Sequence, residues 1–130
     1  MPITFHPHPG TVLICGFSTG FQPPEMVKRR HVVVVSPRRR HHSGLCLVVP
    51  FSTVAPDPVE AFHHRIPIGA YPFFDPLRDV WAKADMLTCV AFHRLDRGLL
   101  NGRYVAPGLQ SHDFAAIQRA ILAALEVGKP

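Results

Sequence analysis

The sequence predicts a mainly β protein with one C-terminal α-helix, built as a small, strongly bent sheet or partly open barrel. Short apolar runs follow one another at close spacing, 14 prolines interrupt the chain too often for long helices, and a single segment near the end has helical period. A length of 130 residues suits one domain with one hydrophobic core, so a single domain over residues 1–130 is expected. With 47% apolar and 18% charged residues, the composition is that of a folded protein rather than a disordered one.

After a proline-rich start, residues 11–17 (TVLICGF) read as a buried strand, and residues 18–30 (STGFQPPEMVKRR) have turn residues and no period, which makes them a loop. Residues 31–36 (HVVVVS) are apolar without alternation, as in a strand covered on both faces. Residues 45–50 (LCLVVP) form the next strand, and PRRRHHSG is the hairpin connection between them. Prolines between positions 55 and 76 leave room for one short strand, about VEAFHHRI. VWAKA and MLTCVAF read as strands around Asp85, and RYVA as a short one. SHDFAAIQRAILAALEVG is the helix: Ser111 is placed to cap it, Asp113 falls in its first turn, Phe114, Ile117, Ile121 and Leu125 form one stripe, and Gly128 stops it.

No apolar run reaches membrane-span length, and MPITFHPHPG lacks the charged-then-apolar pattern of a signal peptide, so a cytoplasmic protein without membrane contact is expected. Cys15, Cys46 and Cys89 each sit alone in an apolar run, which fits neither a disulfide framework nor a zinc site and predicts small buried side chains.

The formal net charge of +5 is unevenly distributed: between Met26 and Pro56 there is no Asp or Glu. That segment holds Lys28, Arg29, Arg30, Arg38, Arg39 and Arg40, together with His31, His41 and His42. A one-signed patch of this kind concentrates polyanions, so nucleic acid or an acidic protein segment is the expected partner, against the plainer reading of a solvated loop. In KRRHVVVVSP the cations stand at the mouth of the surest core strand, where a rigid element can aim Arg30.

Nine histidines raise the question of metal, most of all the pairs His41–His42 and His63–His64. Neighbours on a strand point to opposite faces, and no ligand-spaced Cys, Asp or Glu completes either set, so no metal site and no cofactor is expected. No glycine-rich phosphate loop or nucleophile elbow is present. Ser52 and Thr53 follow a buried strand directly, which puts two hydroxyls at a rigid edge or, more plainly, starts a turn.

In order, GTVLICGF, a loop with Glu25 five residues before an Arg, RHVVVVSP, SGLCLVVPFST, KADMLTCVAF and the final helix resemble the MazF/PemK family of toxin endoribonucleases over residues 10–125. The resemblance implies an SH3-like bent sheet, a homodimer binding single-stranded RNA in a basic interface groove, metal-free cleavage, and a cognate acidic antitoxin. On its pattern Arg30 matches the catalytic arginine, and Thr53, with Ser52 beside it, the catalytic hydroxyl. Glu25 matches the acidic residue of the mobile loop, while Lys83 and Asp85 match polar positions near the scissile phosphate in some members. Lys28, Arg29, His31 and Arg38 to Arg40 then become RNA contacts.

Three departures stand out: His31 replaces the usual proline, Met86 the usual glutamine, and residues 55–81 are longer than typical. Base and acid stay open among Glu25, Asp85 and His31, whose unperturbed imidazole pKa suits either role. Two rival classes share these features. One is a nucleic-acid-binding module that leaves RNA intact; the other is a gyrase poison of the CcdB kind, whose Trp-Gly-Ile ending the tail EVGKP lacks.

Overall fold

The computed structural model describes residues 2–26 and 28–128, with His42 described through its backbone alone. In chain order it contains β1 (Val12–Gly16), β2 (Arg29–Val34), β3 (Leu45–Ser52), β4 (His63–Ile66), β5 (Val80–Lys83), β6 (Thr88–Ala91), β7 (Leu95–Asp96), β8 (Gly98–Leu100), β9 (Arg103–Val105) and α1 (Ser111–Ala124). The main sheet runs β4-β5-β3-β2-β1-β7, and β6 also pairs with β3. β3 is therefore shared along one edge. Its first half pairs with β6 (Leu45 to Val48) and its end with β5 (Phe51 and Ser52), which bends the sheet around it. β4 and β7 end the sheet without joining, so the structure is an open bent sheet rather than a closed barrel.

The valine run explains itself in this layout. Val32 and Val34 pack with Leu13, Cys15, Phe17 and Val48 on one face. Val33 packs on the other face with Val12, Val49, Phe51 and the helix residue Ile117. Central strands covered on both sides lose the apolar–polar alternation that a half-exposed strand shows.

Several boundaries differ from the sequence reading. β2 begins at Arg29, two residues early, so Arg29 and Arg30 lie within the strand and Lys28 just before it. β3 runs through Pro50 to Ser52, with Pro50 opposite Val32. β7 and β8 were not expected; β8 and β9 form a hairpin across Asn101 (φ 51) and Gly102 (φ 79), the left-handed pair that a tight Asn-Gly turn uses. Gln110 rather than Ser111 occupies the N-cap position, and Leu125 is exposed beyond the helix end. Cys15 and Cys46 are buried, their thiols pushed up to about 12 by burial, but Cys89 is exposed.

Asp113 is not a surface charge on the helix dipole. It is buried, accepting hydrogen bonds from the Tyr71 hydroxyl at 2.5 Å and from His64 Nε2 at 2.9 Å, while the Gln110 N–H donates to the Tyr71 oxygen at 2.9 Å. Burial alone would raise this carboxyl; the bonds from Tyr71 and His64 more than offset it and hold its pKa below 3.8. Asp113→Ala orphans both donors and should destabilise the fold by about 2 kcal/mol in urea titration. Because the folded pKa is depressed, the stabilisation is present above pH 3.8 and is lost as pH falls through the folded value. An alanine variant as stable as the wild type at pH 7 would contradict this assignment.

The hairpin connection after β2 is a 3-10 turn, Arg38–Ser43, ended by Gly44 at φ 77. His41 plugs it, wholly buried, with Nε2 at 2.6 Å from Ser36 Oγ and its ring edge-on to Phe92. Desolvation lowers its pKa and keeps it neutral, a core role rather than a ligand role.

Candidate active site

Arg30 is the second residue of β2, opposite Cys15 in the β1–β2 register, so its side chain leaves the strand on the face that carries Cys15 and Phe17. Its Nε is buried and has no hydrogen-bond partner among the described residues. A buried donor left unpaired costs about 1–3 kcal/mol, which an incoming anion would recover. The β2–β3 register, extended two residues past Val32↔Pro50, brings Ser52 level with Arg30.

Arg29, Arg30, His31, Ser52, Thr53 and Asp75 line a cleft of about 290 Å³ at the mouth of these strands. The two hydroxyls differ. Ser52 is buried, and its Oγ accepts the Val54 N–H at 3.1 Å, whereas Thr53 is half-buried and makes no hydrogen bond to another described residue. Thr53 is the better placed to donate to a ligand. Asp75, which the sequence reading passed over, accepts the Leu77 N–H at 2.8 Å and adds a carboxylate to the cleft wall.

Glu25 and Asp85 lie in a second cleft, of about 280 Å³, which shares no lining residue with the first. Glu25 sits in the β1–β2 loop, where its Oε1 accepts the Gln22 N–H at 3.1 Å; Asp85 and Met86 stand opposite, in the 3-10 turn Ala84–Met86 between β5 and β6. Phe17 lines this cleft, so it opens on the same sheet face from which Arg30 projects.

Lys83, at the end of β5, pairs across the ladder with His63. His63 Nδ1 accepts the Glu60 N–H at 3.0 Å, so in the neutral ring Nε2 carries the proton, 4.0 Å from Asp85 Oδ1. Sequence reasoning missed this neighbour, because the partner across a strand is not written in the spacing of His63 and His64. His64 is engaged elsewhere, with Asp113. Among the described residues no group of three or more His, Cys, Asp or Glu can hold a metal ion.

His31 lies on the opposite face from Arg30, its ring edge-on to Phe74 at 5.4 Å, and burial lowers its pKa below 6.5. The basic residues divide into two groups. Lys28 and Arg29 share the Arg30 end of β2, Arg29 paired to Asp96 at 3.1 Å. Arg38, Arg39 and Arg40 are exposed on the 3-10 turn beyond the other end. At about 3.3 Å per residue the ends of β2 alone are roughly 16 Å apart. One monomer thus presents two basic patches instead of one.

No helix among the described residues is long and apolar enough to cross a membrane. The family model for the PemK-like, MazF-like toxin of type II toxin-antitoxin systems matches residues 8–125. The protein YifN of Escherichia coli (strain K12) is 32% identical, over 94% of this chain and 93% of its own. Among solved structures, MazF from Deinococcus radiodurans superposes with a TM-score of 0.68 at 18% identity, covering 95% of this chain and 99% of that one. An endoribonuclease from a mycobacterial species, solved with its cognate antitoxin, gives 0.65 at 19% identity, with the same coverage. The solved structures fix the fold; the family match over nearly the whole chain, with a relative above 30% identity, fixes descent. The chain belongs to the PemK-like, MazF-like toxin family of type II toxin-antitoxin systems.

Proposed function

We propose that this toxin is a metal-independent endoribonuclease that cleaves single-stranded RNA at preferred sequences, mRNA among them, by attack of a ribose 2'-OH on the adjacent phosphate. The observation that carries the reading is Arg30: a guanidinium on a central strand, its Nε buried without a partner among the described residues, in a cleft that Thr53 also lines. A planar, permanently charged fork matches two phosphate oxygens, and Thr53 can donate to the same group as it gains charge.

In the step itself the 2' oxygen bonds to phosphorus, the bond to the leaving 5' oxygen breaks, and the 2' proton passes to a base. Glu25 or Asp85 takes that proton, and a protonated group returns one to the 5' oxygen. Lys83 lies near Asp85 in sequence and can hold the backbone. The RNA should pass from one cleft to the other, with Met86 as an apolar contact where a polar one is usual. A homodimer would set a second copy of each cleft along one groove. An acidic antitoxin segment, as expected for a toxin of this family, would compete for that groove by matching Arg29 and Arg30.

Purified protein should cut a long single-stranded RNA into discrete fragments and leave the same sequence intact when it is duplexed. Retardation of the RNA without cleavage would make the protein a binding module. His31→Phe should leave the pH dependence of the rate unchanged above pH 6.5, because burial already keeps that ring neutral there; a lost ionisation would give His31 a chemical role. Charge reversal of Arg38, Arg39 and Arg40 should raise KM about tenfold or more at low salt, and the loss should shrink as salt rises. A loss confined to kcat would place the turn in the chemistry.

A further inference from the structure

A cleft of about 500 Å³ lies at the far edge of the sheet, walled by residues 2–5 of the N-terminal segment, Arg29, Asp96, Arg97 and Tyr104. The wall is anchored: Pro2 bridges to Asp96, and the Ile3 N–H donates to the Leu95 carbonyl at 2.9 Å. Tyr104 stands on β9, in the hairpin that does not join the main sheet, opposite Leu99. Its side chain is 70% exposed and belongs to neither core cluster, so packing does not account for an aromatic ring there. Arg29 lines both this cleft and the Arg30–Thr53 cleft, and its bond to Asp96 Oδ2 fixes it between them. Arg97 is exposed beside it.

We infer that this cleft is a second nucleotide subsite, which takes one base of the RNA strand flanking the scissile bond on the Tyr104 ring and its phosphate on Arg97 and Arg29. The inference rests on the ribonuclease reading for which bond is cut, but not for the binding itself. Three features select a nucleotide. An exposed aromatic face stacks any base, two guanidinium groups suit a phosphate, and the volume lies in the range that holds a small organic ligand. Continuity through Arg29 makes the occupant part of the same strand as the scissile phosphate. An acidic peptide would use the arginines but would have no need of a stacking face.

The test uses short, fully 2'-O-methylated oligonucleotides, which 2'-OH chemistry cannot cut, with a single abasic residue walked along the strand and binding read by fluorescence anisotropy. The wild type should lose about tenfold in affinity when the abasic residue falls at one flanking position. Tyr104→Ala should lose as much with the intact strand and become insensitive to that abasic position, whereas Tyr104→Phe should follow the wild type. Arg97→Ala should weaken binding and flatten its salt dependence.

Cleavage of unmodified RNA is measured in parallel. Cleavage together with a Tyr104→Ala variant that keeps the wild-type abasic profile overturns the subsite alone. Tyr104-dependent binding without any cleavage upholds the subsite and overturns the ribonuclease reading. A Tyr104→Ala variant that loses affinity for an acidic peptide but not for RNA also overturns the inference, and assigns the cleft to a protein partner.

Discussion

Arg30→Ala should lower the rate of RNA cleavage on the order of a thousandfold, the loss typical of a donor aimed at developing charge. The fold should survive. Arg30 stands at the second position of β2, not among the buried valines that follow, and among the described residues its Nε has no partner to be orphaned by truncation. Its removal relieves an unpaired buried donor, so the urea midpoint should stay level or rise slightly. Arg30→Lys should recover less than about a tenth of the lost rate, since an ammonium offers a point charge where two parallel hydrogen bonds are needed. An alanine variant that cleaves at the wild-type rate would remove Arg30 from the site, and with it the reason for the unpaired Nε.

The second large effect is on the substrate. Replacing the ribose on the 5' side of a cleaved bond with its 2'-deoxy form should abolish cut at that bond, a loss on the order of a thousandfold or more, because the nucleophile itself is gone. Other cut sites in the same strand should be unaffected, which controls for binding. Affinity should change little, since contacts to phosphate and base remain. A substrate cut equally well without the 2'-OH would mean attack by water, and the base would then have to be sought near a water site instead of a ribose. Ser52 and Thr53 variants refine the picture: Thr53→Ala should cost more in rate than Ser52→Ala, whose main loss is the turn bond from the Val54 N–H.

Much of this architecture was legible in the residues. The unbroken Val32 to Val34 run announced a strand covered on both faces, and the helix period of Phe114, Ile117 and Ile121 placed α1 against one of them. Arg30, Ser52 and Thr53 were singled out by the family resemblance, since Ser52 and Thr53 alone read as the start of a turn; they line one cleft. What could not be read depends on long-range pairing. Asp113 looked like a dipole-facing first-turn residue until Tyr71 and His64, far away in sequence, closed on it. His63 gained its place beside Asp85 from the β4–β5 ladder. The run from Lys28 to Arg40 looked like one basic patch, but a strand in extended conformation sends its two ends apart, and the charge divides with them. The Asn101–Gly102 turn was a local signal that went unused, and with it the hairpin that carries Tyr104.

The most direct measurement of the central claim is the end group left on RNA cut by the purified protein in excess chelator. Internal attack predicts undiminished cleavage and fragments that end in a 2',3'-cyclic phosphate, with a 5'-hydroxyl on the adjoining piece. Loss of cleavage in chelator that a divalent metal restores, or fragments bearing 3'-hydroxyl and 5'-phosphate ends, would contradict the mechanism built on Arg30.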